Sequence, residues 1–288
     1  MAKSLKIAAW NSNWLHSHVQ EISLFSTTNK IDILLISDSH STQQTVINIP
    51  YYTIYYAHHP DSTTRAGSAI IIKTTLKHFV LEPYITNKIQ NTNIKTTTMP
   101  RIVTIAAIYS PPRHVISSEE YEDFLLHLGP HFLVAGDWNA KHTAWGSRLI
   151  TPKGNNLLHV LQHNILNYLS TGEPTYWPAD PNKNPDLLDF AITNGISSRI
   201  QLKIGVRPQS YHHHFKHQPN LENPTPTPLQ QIHELDTIPG LHQRKYLLKY
   251  KIERTYRTGG SSSTSNYFNP RSWVAMHAGE EKGSPGNQ

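Results

Sequence analysis

A layered α/β fold over the first two-thirds of the chain, followed by a tail of different character, is the fold class the sequence predicts. Three observations predict it. Short runs rich in β-branched and aromatic residues alternate with segments of helical period. Polar residues follow directly on several of the apolar runs, where layered α/β folds assemble their sites. Past about residue 203 the apolar runs give way to His-, Pro- and Ser-rich sequence.

Strands are expected at 7–10, 33–36, 51–56, 68–72, 102–109 and 132–135, the last a buried one ending at a glycine. Ser118 is a candidate cap for a helix through 126; Glu119 and Glu120 complement its dipole and Gly129-Pro130 ends it. Thr151-Pro152 opens a second helix to about 163, with Leu157, Leu158 and Leu161 on one face. Later strands are expected at 166–169 and 187–192.

The 288 residues allow one large domain plus a tail, or two small domains. Charge is uneven: 15 Lys/Arg face 14 Asp/Glu in residues 1–202, but 11 face 6 in 203–288. The basic excess therefore belongs to the tail and does not by itself argue for nucleic-acid binding by the folded part. With no cysteine, disulfides and thiolate metal sites are excluded. No signal-peptide core and no apolar run near the roughly 20 residues of a membrane span occur. An intracellular chain is expected, nuclear if active.

The tail carries His212, His213, His214 and His217, then a Pro-rich run at 223–228, a short basic helix expected near 241–256, and a Gly/Ser stretch at 259–265. Such sequence buries too little apolar surface to offset its ordering entropy. The expected division is 1–203 as a folded domain and 204–288 as a low-complexity, mostly disordered tail.

Chemistry concentrates after the strand at 132–135. In Gly136-Asp137-Trp138-Asn139, alternate side chains of an extended segment share a side, so Asp137 and Asn139 can face one ligand. A carboxylate beside an amide suits an oxyanion and the water that attacks it. Further polar groups sit at other strand ends: Asn11 and Asn13 after the first, Asp38 after the second, Tyr109 closing 105–109, and Asp189 within 185–192.

With these in place the chain resembles the endonuclease/exonuclease/phosphatase superfamily, closest to the apurinic-endonuclease-like domain of jockey-type non-LTR retrotransposons. The resemblance covers roughly residues 5–200. It rests on the run from Gly136 to Ser147, backed by Pro152-Lys153-Gly154, by 173–178 and by Pro185-Asp186-Leu187-Leu188-Asp189-Phe190.

The resemblance implies an α/β four-layer sandwich, two packed mixed sheets flanked by helices, with its site at one rim. It implies DNA as partner and Mg²⁺ as cofactor, with Mn²⁺ as an alternative, held by Asn11 and Asp38. Tyr109 would position the scissile phosphate, Asp137 would orient or deprotonate the attacking water, and Asn139 would hydrogen-bond the phosphoryl oxygens. Asp189 would orient a catalytic histidine. Asn13, His142, Thr175 and Trp177 would lie near the DNA. The implied chemistry is DNA nicking that leaves a 3′-hydroxyl for a reverse transcriptase this chain does not contain.

Two departures qualify that expectation. The family has glutamate where this chain has Asp38, one methylene shorter. The family also closes its domain with Ser-Asp-His before an apolar strand, and no Asp-His pair occurs here. Ser210-Tyr211-His212 is the nearest substitute, leaving His212 for the imidazole position and the fold without its final strand. Weak or absent turnover follows, with a catalytically silent DNA-binding remnant of a mobile element as the alternative.

Overall fold

The protein is described here by a computed structural model covering residues 5–97, 101–178, 180 and 182–196, and the backbone of 199–205 and 247–253. The first half of the chain forms β1 (Leu5–Asn11), α1 (Val19–Thr28), β2 (Ile33–Ser37), β3 (Tyr52–Ala57) and β4 (Ser68–Lys73). It continues through β5 (His78–Val80), β6 (Tyr84–Ile85), β7 (Gln90–Thr96) and β8 (Val103–Tyr109). Then come α2 (Ser118–His127), β9 (Phe132–Asp137), α3 (Pro152–His163), β10 (Asn167–Leu169) and β11 (Asp189–Asn194). Last among the described residues are β12 (Arg199–Gly205) and β13 (Leu247–Glu253).

Two mixed sheets result. One runs β12-β13-β1-β2-β4-β3; the other runs β10-β11-β9-β8-β7-β5, with β6 on the flank of β7. Period-two alternation explains how they stack. Ile7, Ala9, Ile33 and Leu35 face inward and meet Ile105, Ala107, Leu133 and Ala135 of the other sheet. The residues between them face outward: Ala8, Trp10, Leu34 and Ile36 pack on Phe25 of α1, while Ala106, Ile108 and Val134 pack on Phe124 of α2 and Leu157 and Val160 of α3. Strands buried on both faces must be apolar throughout, which is why 33–36 and 132–135 read as unbroken runs.

The expectation of a missing final strand, and of a basic helix near 241–256, is corrected. β13 pairs antiparallel with β1, matching Leu5 with Ile252 and Trp10 with Leu247, and β12 lies outside it. The reason is period. From Leu248 onward Leu-Lys-Tyr-Lys-Ile-Glu alternates apolar and charged residues every second position, a strand's repeat rather than a helix's. The backbone groups along that side of β1 also need partners. Expectations for 206–246 and 254–288, His212 included, fall outside the described residues.

The cap of α2 sits one residue before the expected Ser118. Ser117 Oγ accepts the Glu120 amide at 3.3 Å, and the Glu120 carboxylate accepts the Ser117 amide at 2.9 Å, a reciprocal capping box. Ser117→Ala is expected to cost about 1 kcal/mol, read as a fall of about 2–4 °C in thermal midpoint. Thr151 caps α3 as expected, its hydroxyl accepting the Gly154 amide at 3.2 Å. No described helix is long and apolar enough to cross a membrane.

Candidate active site

Strand register brings the polar positions together. Parallel pairing of β1 and β2 sets Asn11 beside Ser37, with Asp38 the next residue. In the other sheet Tyr109 pairs with Asp137, and Asp189 pairs with Asp137 from the opposite flank. Both groups lie at the same end of the sandwich, and side chains join them. Asn11 Nδ2 donates to Asp137 Oδ2 at 2.8 Å. Ser37 Oγ donates to the Ile108 carbonyl at 2.7 Å and accepts the Asp137 amide at 3.0 Å. Tyr109 lies close enough to Asp38 for that carboxylate to help hold its hydroxyl protonated.

This close approach explains the glycine before Asp137. Gly136 holds φ +149°, and a Cβ there would collide with the Ile108 carbonyl and the Ser37 hydroxyl. The aromatic residues of the motif are structural. Trp138 is fully buried and stacks on Phe190 at 5.6 Å, and Trp145 stacks on the same ring at 4.8 Å. Their indole nitrogens donate to the carbonyls of Phe190 and Ala140. The turn carrying Asp137 and Asn139 is thereby fixed to the core.

Asp137 is buried, and burial is the largest influence raising its carboxyl well above the usual carboxylate range. The charges of Asp189 and Asp38 push the same way; Lys153 and the Asn139 amide, which donates to Oδ1 at 2.9 Å, oppose them. Burial likewise lifts Asp189 to about 6, against a hydrogen bond from Thr175 that lowers it. Tyr109 is pushed up by burial and then by Asp38 and Asp137, so it stays a neutral donor. Carboxylates crowded in this way favour a cation between them.

The remaining expected residues are placed as follows. Asn139 adopts φ +45°, a conformation asparagine tolerates, and closes an Asx turn on Asp137. Asn13 is exposed, and its amide donates to Asn11 Oδ1 at 3.1 Å. Thr175 lies under Asp189, its hydroxyl accepting the amides of Leu188 and Asp189 at 3.0 and 2.9 Å. His142 serves its own loop: Nδ1 accepts the Ala144 amide at 2.9 Å and the ring tilts over Trp145. Trp177 is half-buried.

Sequence reasoning missed three contributors. Ser37 joins the two sheets and looks like the unremarked end of an apolar run. His40 holds Asp38 through Nε2 at 3.1 Å. Lys153 is buried, donates to the carbonyls of Pro111 at 3.0 Å and Ser110 at 3.3 Å, and is lowered to about 8 by burial, with Asp137 opposing. A lysine in the first turn of α3 opposes the helix dipole, and that signal could have singled it out.

The pattern for the Endonuclease/Exonuclease/phosphatase family matches residues 8–212, which spans every described residue of this constellation. The chain belongs to the endonuclease/exonuclease/phosphatase family. Among curated relatives, the RNA-directed DNA polymerase from mobile element jockey of Drosophila melanogaster is 38% identical over 192 residues, 67% of this chain and 21% of the relative. The probable RNA-directed DNA polymerase from transposon BS, from the same fly, is 32% identical over 198 residues, 68% of this chain and 22% of the relative. The chain thus spans about a fifth of the length of the curated relatives it matches. The fold is shared with solved structures. The endonuclease domain of TRAS1, a telomere-specific non-LTR retrotransposon, superposes with TM-score 0.60 at 16% identity, covering 87% of this chain and 98% of that one. An AP endonuclease from Leishmania major gives 0.61 at 11% identity, covering 88% and 89%.

The carboxylate pair also predicts a pH effect on this member of the family. A carboxyl raised in the folded state contributes stability that is present below its unfolded value near 4 and lost as pH rises through about 6. Asp189→Asn, the uncharged isostere, is expected to melt about 2–6 °C above the parent at pH 7 in metal-free buffer, the difference vanishing towards pH 4. Thermal scans of both proteins between pH 4 and 7 check this; a constant difference would refute it.

Proposed function

We propose that the chain is a retrotransposon-type endonuclease domain that nicks DNA in a divalent-metal-dependent reaction. The observation that carries this reading is the convergence of Asn11, Asp38, Tyr109, Asp137 and Asp189 from two sheets onto one end of the sandwich.

The donors suit a hard divalent ion. Asn11 Oδ1 and the Asp38 carboxylate are oxygen ligands, and the mutual repulsion of Asp38, Asp137 and Asp189 is relieved by a cation. Among the described residues there is no group of three or more His, Cys, Asp or Glu side chains at metal-holding distances. Mg²⁺ takes one or two carboxylates and leaves the rest of its shell to water and phosphate. When bound, Mg²⁺ would neutralise charge on the phosphodiester.

The chain's own groups supply the remainder. Asp137, held on one oxygen by Asn11 and on the other by the Asn139 amide, is fixed to orient a water and take its proton. Water attacks phosphorus, the P–O3′ bond breaks, and the departing oxygen gains a proton, leaving a 3′-hydroxyl and a 5′-phosphate. The Asn139 side chain donates to the phosphoryl oxygens as charge builds there. Asp189 would orient the imidazole of His212, whose absent carboxylate neighbour makes slow turnover the expectation. The 3′-hydroxyl would prime an RNA-directed DNA polymerase of the kind the jockey relative is named for.

The test is conversion of supercoiled plasmid to open circle in Mg²⁺, with EDTA as control, followed by primer extension from the nick. Metal-dependent open circles extendable by a polymerase support the reading. No conversion at any metal concentration overturns it and leaves the silent DNA-binding remnant.

A further inference from the structure

Trp14 occupies a backbone conformation suited to glycine. Its φ and ψ are +91° and +80°, disfavoured for any residue with a Cβ. The surrounding backbone is strained in the same sense: Asn13 (φ +39°), Asp38 (+54°), His40 (+50°) and Ala66 (+55°) are all left-handed non-glycine residues. They belong to one structure, since the Trp14 amide donates to the Asp38 carbonyl at 3.1 Å and the His40 amide to the Ala66 carbonyl at 2.8 Å. Strain of this kind persists where the surroundings enforce it, and it collects at functional sites.

The side chain is as unusual as its backbone. The indole is 46% exposed, while Trp10, Trp138 and Trp145 are all buried. It stacks on the His40 imidazole at 5.1 Å with planes 15° apart. That imidazole is clamped from both nitrogens, by Asp38 Oδ1 at 3.1 Å and the Thr64 carbonyl at 2.9 Å. A large aromatic surface is thus held open to solvent, one ring away from the Asp38 carboxylate. Burial does not account for it, and the backbone would be relaxed by glycine.

The geometry points to Trp14 as a stacking platform for a nucleotide of the DNA strand next to the scissile phosphate. This rests on the nicking reading, because a phosphodiester seated at Asp38 and Asp137 brings its neighbouring sugar and base to this rim. Every base offers a π-face, so such a platform contributes affinity without reading sequence. His40 backs the indole, Asp38 backs His40, and the bound strand is thereby set against the group proposed to hold the metal.

The experiment is binding of a fluorescein-labelled DNA duplex with a short unpaired stretch in one strand, in EDTA, followed by anisotropy, for the parent, Trp14→Gly, Trp14→Asn and Trp14→Phe, with thermal midpoints on the same samples. Working in EDTA removes any effect exerted through the metal site. Glycine and asparagine both tolerate the left-handed backbone, so both variants are expected to melt no lower than the parent. Both are expected to bind DNA about 5- to 150-fold more weakly, and Trp14→Phe to retain most of the affinity. Folded Gly and Asn variants that bind as tightly as the parent overturn the inference, and plasmid nicking by that parent would leave the nicking reading standing. A parent that binds DNA through Trp14 yet never nicks supports the platform and overturns the catalytic reading instead.

Discussion

Asp137→Asn is expected to lower plasmid nicking by about 10²–10⁴-fold, the usual worth of a positioned general base. Asparagine preserves the shape of the side chain and can still accept the Asn139 amide on its oxygen. It cannot take a proton from water. It also turns an NH₂ towards the Asn11 amide that now donates to Asp137 Oδ2 at 2.8 Å, so Asn11 has to rotate or reverse its amide. The variant removes a buried charge held beside Asp38 and Asp189, so its stability in metal-free buffer should equal or exceed the parent's near pH 7. Lost turnover with an unchanged or raised melting temperature is the signature of a chemical rather than structural role. Nicking at the parent's rate by the purified variant would remove Asp137 from the mechanism.

Gly136→Ala is expected to destabilise the fold by about 3 kcal/mol or more, through overpacking against backbone together with a left-handed φ. The obstacle is the Ile108 carbonyl of the neighbouring strand, which cannot move without parting β8 from β9. Gly129 is the control. It also has positive φ, +81°, but a Cβ there would meet nothing within 4 Å, so Gly129→Ala should cost only about 1–2 kcal/mol. Urea unfolding of the two variants separates them; equal midpoints would mean that the space around Gly136 yields more readily than described.

The contrast between legible and illegible parts of the chain has physical causes. β2, β8 and β9 could be read because both their faces are buried, and burial on both faces demands unbroken apolar sequence. β7 could not, since Gln90-Asn91-Thr92-Asn93 reads as a loop. Inside the fold the amide nitrogens and the threonine hydroxyl of that run find partners, though the side-chain oxygens of Gln90, Asn91 and Asn93 do not: Asn91 Nδ2 donates to the Ala107 carbonyl at 2.8 Å, and Thr92 Oγ1 lies 2.8 Å from Ser68 Oγ of the other sheet. β13 was obscured because its lysines outweighed its period-two pattern.

The site divides along similar lines. Asn11, Asp38, Tyr109, Asp137 and Asp189 announce themselves as polar residues at strand ends, which is a local pattern. Lys153, His40 and Trp14 matter through what lies across space from them. No window of sequence shows that the Lys153 ammonium reaches the carbonyls of Ser110 and Pro111, or that an indole rests on an imidazole 26 positions further along.

The bridging hydroxyl of Ser37 has a mechanical consequence. One oxygen fastens β2 both to the carbonyl preceding Tyr109 and to the amide of Asp137, so the sheet bearing Asn11 and the sheet bearing Asp137 are locked in place where the chemistry is proposed. Neither half can be retuned by sliding its strands without dragging the other. Gains and losses of the proposed turnover would therefore arise from side chains projecting over the seam, while the seam itself tolerates almost no give.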